Sequence, residues 1–308
     1  MSSIRWTRCM LVITVLACFE GLCSAGSAQT MTAGEAWAHI QKFYGGPPPQ
    51  NTVDTLKGGT PSTVVTGIAT TFLDTMDVLR EAVRRNDNLI ITHEPTFYNH
   101  MDDTSNFVGD PVYEEKRAFI EQHHLIVYRL HDENHADPRG DQILAAFYET
   151  MGWDRYPHPS GANFVTIPRT TLSQLALELK TRLHAETLRL EGDPNLEVTE
   201  VAVLPGAAGL AKQVSALRQS GVQVLIAGEA SEWETVEYVR DAAAQGRSKA
   251  LVLLGHEVSE EPGMESCARD LRGLFPGVRV DHIPARQPLG FIEMKQKAGD
   301  SAPHGEMK

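Results

Sequence analysis

A chain of 308 residues with 42% hydrophobic residues can bury one large core or two modest ones, and its composition points to neither disorder nor a fibre. With 28 Lys and Arg against 40 Asp and Glu, the formal net charge is -12 at pH 7. Such a surface repels phosphate backbones and anionic lipids, so nucleic acid is excluded as an expected partner.

The chain opens on a pattern expected of a leader. Arg5 and Arg8 precede an apolar run from Cys9 to Phe19, and Ser24 to Ala28 reads S-A-G-S-A. A basic head, an apolar stretch and small residues at a cleavage site are the parts of a secretory signal peptide, so residues 1–28 are expected to direct export to the periplasm or the medium. The apolar run is well short of the roughly 20 residues that cross a bilayer, and no stable membrane span is expected. A lipid anchor at Cys18 has only an imperfect lead-in in Val15-Leu16-Ala17. Cys9, Cys18 and Cys23 fall inside the leader, which leaves Cys267 without a disulfide partner and reading as a small core residue.

Thr32-Ala33-Gly34-Glu35 is a capping-box pattern ahead of Trp37, Ile40 and Phe43 at helical spacing. That helix ends at Gly45-Gly46, and Pro47 to Pro49 force an extended linker. From Thr63 onward, short β-branched runs alternate with amphipathic stretches. Strands are predicted at Thr63–Ile68, Asn88–Thr92, Leu125–Leu130, Phe164–Ile167, Val198–Leu204, Val222–Ala227, Ala250–Leu254 and Val278–His282. Helices are predicted at Asp74–Arg85, Tyr113–His123, Asp141–Met151, Leu172–Leu183, Leu210–Gln219, Ser231–Ala244 and Gly263–Leu274. This alternation argues for an α/β fold with largely parallel pairing. Pro157, Pro159 and Gly161 mark a boundary. The expected organisation is a first α/β lobe of residues 29–160 plus 247–293, a second α/β lobe of residues 161–246, and a flexible tail over 294–308.

The chemistry collects at the ends of predicted strands. His93 and Glu94 follow Leu89-Ile90-Ile91, His131 and His135 follow Leu125-Ile126-Val127-Tyr128, and His256 follows Leu251-Val252-Leu253-Leu254. Loops beyond the carboxyl ends of parallel strands emerge at one edge of a sheet, so these three loops can converge. Imidazole with carboxylate suits zinc, iron or manganese, and without a thiolate nearby a structural cysteine zinc site is excluded. His256 and Glu260 are spaced i, i+4 and meet on one face if the G-H-E-V-S-E segment takes a helical turn. Pro95 keeps Glu94 on extended backbone. Any one of these histidines alone reads as a surface or core residue; four at three strand exits, each near carboxylates, read as a ligand cluster. His100, His123, His124 and His158 lack that placement and are assigned to surface or loop. Glu229 also follows a strand, either as a group supporting the site or as a carboxylate at a helix N-terminus. Pro205-Gly206-Ala207-Ala208-Gly209 could cradle a phosphate, but without a following Lys-Ser/Thr a tight turn is the better reading. There is neither an H-E-x-x-H nor a G-x-S-x-G motif, so zincin and serine-hydrolase readings fail.

In this order, these segments resemble the Nif-three-like dinuclear-metal family, whose members are often labelled GTP cyclohydrolase I type 2. The family's early segment ending in His-His-Pro is matched by G-I-A-T-T-F-L-D-T-M-D-V-L-R-E-A running on to I-I-T-H-E-P, with His93 in the first His place and Glu94 in the second. Its His-x-x-x-Asp loop is matched by H-D-E-N-H-A-D-P-R-G-D, where His131 keeps its place and His135 stands for the Asp. Its Gly-His-x-x-x-Glu motif is intact as Gly255, His256 and Glu260. The two departures exchange an imidazole and a carboxylate, so the ligand inventory is unchanged if both face the same metals; Asp132 or Asp137 could also take the carboxylate role. The resemblance implies a two-lobed Nif-three-like fold with mixed, mostly parallel sheets, flanking helices and a metal site in the cleft between lobes, and a homo-oligomer built as a hexameric ring. It further implies two divalent metal ions per subunit held by His93, Glu94, His135, His256 and Glu260. His131 or Glu229 would then carry protons or orient ligands in a metal-dependent hydrolase acting on an unspecified small molecule. The alternative is a non-catalytic metal scaffold or carrier.

Overall fold

The computed structural model describes residues 30–45 and 50–290. The expected leader at 1–28, the linker over Pro47–Pro49 and the tail at 294–308 lie outside the described residues.

Helix α1 (Ala33–Phe43) begins at the expected capping box: Thr32 Oγ1 accepts from Glu35 N at 3.3 Å, and the Glu35 carboxylate accepts from Thr32 N at 2.8 Å. There follow β1 (Leu56–Gly58), β2 (Ile68–Thr71), α2 (Met76–Arg85), β3 (Leu89–Thr92), α3 (Pro111–Gln122), β4 (Ile126–Arg129), the short α4 (Asp132–His135) and α5 (Gln142–Met151). The chain continues through β5 (Phe164–Thr171), α6 (Leu172–Arg182), β6 (Arg189–Glu191), β7 (Glu197–Leu204), α7 (Leu210–Arg218), β8 (Val224–Ala227), a π-helical turn at Glu232–Val236 and α8 (Glu237–Ala244). It ends in β9 (Ala250–Leu253), the long α9 (His256–Leu274) and β10 (Val280–His282).

Two five-stranded mixed sheets result, in the orders β1-β4-β3-β2-β10 and β5-β7-β8-β9-β6. In the first, β10, β2, β3 and β4 run parallel and β1 is an antiparallel edge. In the second, β7, β8 and β9 run parallel between antiparallel edges β5 and β6. Every residue of β2, β3, β4, β8 and β9 is buried, as expected of parallel strands covered on both faces. The period of two sorts them. Leu89 and Ile91 join α1 and α9 through Trp37, Ile40, Met264 and Leu271, while Ile90 faces α2 and α3 through Leu79 and Ile120. In the second sheet Val224 and Ile226 face α5 and α6, and Leu225 lies on the other face with Leu217 and Val239.

The structure corrects the expected division of the chain. Ala250–Leu253, assigned to the first lobe, pairs with β8 from Val224↔Ala250 onward and with β6, so it belongs to the second sheet. The return to the first sheet is made by α9: its later residues Met264, Cys267, Ala268 and Leu271 enter the core beneath β2 to β4, and β10 then pairs with β2. Helix α9 also starts earlier than predicted, at His256, and tolerates Pro262 inside it. Gly255 N-caps it at φ 94°, a conformation that glycine adopts without penalty. The run Thr63–Thr66 makes only an isolated antiparallel bridge, Val64 with Thr32, rather than a strand, and the Asn88 side chain meets part of its remaining backbone, accepting from Thr66 N and donating to Val64 O, both at 2.8 Å. Cys267 is buried, and burial pushes its thiol up to about 12, which makes it inert. Among the described residues, no helix is long and apolar enough to cross a membrane.

Candidate metal centre

Beyond β3 the chain bends at His93 and Glu94 rather than staying extended, while its pairing continues: His93 N donates to Thr71 O at 3.1 Å and Glu94 N to Phe72 O at 2.8 Å. This pairing sends the fully buried His93 side chain inward, with Nδ1 3.0 Å from Leu130 O. Beyond β4, the four-residue α4 carries His131 at its N-cap and His135 at its last position, one turn apart. So short a helix does not stand alone. The buried Asp54 carboxylate holds it, accepting from His131 N at 2.7 Å, Asp132 N at 3.0 Å and Glu133 N at 2.8 Å. Beyond β9, the first turn of α9 sets His256 and Glu260 on one face, with His256 Nε2 3.1 Å from Glu260 Oε2.

These three exits converge. The His93 ring lies 4.7 Å from that of His131 and 5.1 Å from that of His135, and the latter two are 4.9 Å apart. Glu260 Oε2 is 3.4 Å from His93 Nε2. Glu94 Oε1 lies 3.4 Å from His256 Nε2 and 3.6 Å from His131 Nε2. Two donor triads, His93/His131/His135 and His93/Glu94/Glu260, each have ligand atoms within 4.8 Å of one another.

Each of the four imidazoles has its Nδ1 on an oxygen. His93 uses the Leu130 carbonyl, His131 uses Asp132 at 2.9 Å, His135 uses Asp141 at 3.0 Å and His256 uses Glu229 at 3.0 Å. An imidazole that donates through Nδ1 keeps the Nε2 lone pair for a cation, and such outer partners fix both ring orientation and tautomer. Two buried acceptors, His93 Nε2 and Glu260 Oε2, have no hydrogen-bond partner although they face each other. Four imidazoles and two carboxylates with orphaned acceptors between them fit a divalent cation of the zinc, iron or manganese kind.

The electrostatics agree with the geometry. Burial raises the Glu260 carboxyl, but the adjacent His256 and His93 imidazoles outweigh it and hold the group well below the usual carboxylate range. Glu94 is also lowered: burial opposes ionisation, and His256 and His93 overcome it. Burial disfavours a charge on His256, yet Glu229, Glu260 and Glu94 together push it up to about 12. His131 goes the other way, down to about 4, through burial and the neighbouring His93. In the protein alone, a proton on His256 therefore answers the carboxylates that a metal ion would otherwise answer.

Sequence reasoning left several participants unassigned. Arg129, fully buried at the end of β4, donates from Nε to His93 O at 2.9 Å and from Nη2 to Glu94 Oε2 at 3.2 Å. Its only signal is a cation inside the apolar run Ile126-Val127-Tyr128-Arg129-Leu130. The P-G-A-A-G loop, read as a plain turn, packs against the cluster: a Cβ on Gly206 would collide with Glu260 Oε1 and sit 3.1 Å from His256 Nε2. The Gly206 amide donates to Ser259 Oγ at 2.9 Å, and that hydroxyl donates to His256 O at 2.7 Å. His100, assigned to the surface, is exposed, and its ring stands 5.4 Å from that of His131 at the rim. Neither alternative carboxylate is free for the cluster. Asp132 is held by His131, by Thr52 Oγ1 at 2.9 Å and by Val53 N at 3.2 Å, and Asp137 pairs with Arg139 at 2.7 Å.

Glu94, His131, His135, Glu229, His256 and Glu260 all line one cleft of about 2940 Å³. Among known proteins, the chain is 26% identical over 220 residues to a GTP cyclohydrolase 1 type 2 homolog of Clostridium acetobutylicum, covering 68% of this chain and 77% of that protein. Its fold is similar to that of a Bacillus cereus protein related to NIF3, with a TM-score of 0.69, 13% identity, and coverage of 87% of this chain and 100% of the other. A Staphylococcus aureus hypothetical protein is similar at a TM-score of 0.67 and 17% identity, covering 86% of this chain and all of its own. A family model, Duf34/NIF3 (NGG1p interacting factor 3), matches residues 54–288, the span that contains every side chain of the cluster, and the chain belongs to that family.

Proposed function

We propose that this protein is a metal-dependent hydrolase with two divalent cations held by His93, Glu94, His131, His135, His256 and Glu260. The observation that carries the reading is the set of four imidazoles, each anchored through Nδ1, with two buried carboxylates among their free nitrogens. Two ions rather than one are argued from the donor count, since six donors exceed a four-coordinate zinc site, with His93, common to both triads, serving one ion of the two. When bound, the cations would supply Lewis acidity that lowers the pKa of water and polarises a substrate oxygen or ring carbon.

The chain's own residues divide the remaining work. His131, whose Nε2 faces Glu94, suits a ligand better than a proton carrier. Glu229 orients His256, and Asp141 and Asp132 orient His135 and His131. Lys180, Lys212 and Arg286 line the cleft beside carboxylates that include Glu81, Glu186 and Glu257, so cations can meet an anionic group locally although the cleft as a whole is not basic. The name of the Clostridium relative places nucleotides first among substrates to try, with attack at purine carbon 8. Export through residues 1–28 and assembly as a hexameric ring are part of the proposal, the first resting on the leader pattern and the second on resemblance.

Elemental analysis of protein purified from its own host, followed by turnover of a panel of nucleotides, phosphoesters and cyclic amides, tests the reading. Two ions per chain with turnover is the expected result. Two ions without turnover would move the protein to the class of metal scaffolds or carriers, and no ions would remove the proposal.

A further inference from the structure

We propose that Arg129 is a positioning residue for the metal centre: it holds one oxygen of Glu94, so that the other is presented as a single-oxygen ligand, and it adds a permanent counter-charge to the imidazoles that face this buried carboxylate. The inference rests on the metal reading above and adds to it the device that makes Glu94 usable.

A guanidinium cannot lose its charge at ordinary pH, and burying it demands that its donors be met. Arg129 is fully buried at the end of a strand whose residues are all buried. Nε donates to His93 O at 2.9 Å, Nη2 to Glu94 Oε2 at 3.2 Å, and Nη1 to His100 O. Its partner in charge is Glu94. The other nearby carboxylate, Asp102, stands 3.7 Å from Nη1 but is already answered by Lys57 at 3.0 Å, so Lys57 pairs with Asp102 and Arg129 with Glu94.

The geometry has a consequence for ligation. A carboxylate with one oxygen tied to a guanidinium presents its other oxygen to a cation as the less engaged donor. That oxygen, Oε1, lies 3.4 Å from His256 Nε2 and 3.6 Å from His131 Nε2. Two donors each about 2.1 Å from one cation stand roughly 3.0–3.5 Å apart, so Oε1 is placed to share an ion with His256, while His131 stands just outside that range. The same guanidinium holds the carbonyl of His93, so one side chain orients two consecutive donors. The Coulombic part of this role exists only while residue 94 carries a negative charge. Were residue 94 a neutral ligand, Arg129 would be a buried cation left with only Asp102, which Lys57 already holds.

A double-mutant cycle tests this. Zinc affinity is measured by competition with a chromophoric chelator, with stoichiometry by elemental analysis, for wild type, R129M, E94H and E94H/R129M. R129M is expected to weaken zinc binding roughly 10- to 100-fold in the wild-type background. In the E94H background the same change is expected to cost nothing, or to restore binding, because it removes a buried cation that has lost its closer carboxylate. Equal losses in both backgrounds would show that Arg129 serves only the carbonyls of His93 and His100, and would overturn the proposal. Should R129M fail to fold, R129K keeps the charge and gives up the planar fork. It is expected to lose about tenfold against wild type and nothing against E94H, and equal losses would again be decisive. Wild-type protein that takes up no zinc removes the metal reading and this inference together, whereas zinc-binding wild type with additive losses removes this inference alone.

Discussion

His256 and His131 face the same carboxylate oxygen of Glu94 and are driven in opposite directions, His256 up to about 12 and His131 down to about 4. His256 gains three carboxylate neighbours, and these outweigh the cost of burial. His131 is limited by burial and the His93 ring, which its partner Asp132 does not offset. A ligand must be neutral, so zinc uptake at neutral pH must expel the His256 proton, while His131 has none to give. The sign follows. Apparent zinc affinity should rise with pH between 6 and 9, about tenfold per unit for each proton released. Calorimetric binding enthalpy should vary linearly with the ionisation enthalpy of the buffer. A buffer-independent enthalpy would mean that His256 is not displaced by metal.

At the scale of elements, helix α4 is the least self-sufficient part of the centre. Its four residues present two imidazoles, and the Asp54 carboxylate accepts from three consecutive amides at its start. Charge-assisted bonds of this kind are the strong ones. Asp54→Ala is expected to cost on the order of 3 kcal/mol in urea unfolding of chelated protein and to weaken zinc binding, since His131 and His135 lose their frame together. A loss confined to stability, with zinc affinity unchanged, would show that α4 keeps its shape without Asp54. The elements themselves were largely readable from sequence, because buried parallel strands write continuous apolar runs such as Leu89-Ile90-Ile91 and Leu251-Val252-Leu253. What such a run cannot say is which sheet it joins, and for that reason β9 was placed in the wrong one. The edge strands β1 and β6, three residues each, the first half-buried and the second largely exposed, carry too short a pattern to register. Among the site residues, the strand-exit rule pointed to the histidines and to Glu94. Arg129 and Gly206 escaped it because their roles depend on which loops meet across the fold, and no spacing along the chain encodes that.

Across the whole molecule, the cluster joins donors from both sheets. His93, Glu94, His131 and His135 leave strands of the first, while His256 and Glu260 follow β9 of the second and ride on α9, whose far end packs beneath the first. A bound cation would therefore tie the two halves, and its loss should be felt as stability. Zinc at a hundredfold excess over its Kd is expected to add about 2.7 kcal/mol, read as a rise in Tm that chelator reverses. His256→Ala should lower both the metal content and that rise, and an undiminished rise would place the ion elsewhere.

Residue 206 belongs to this interdependence without contributing a single donor atom. Its missing side chain leaves the room that Glu260 and His256 occupy, so even one methyl group there would press on two functional side chains from the opposite strand-to-helix turn. Mutations that silence this protein need not touch anything that binds or reacts. Added bulk in a loop with no chemistry of its own would be enough.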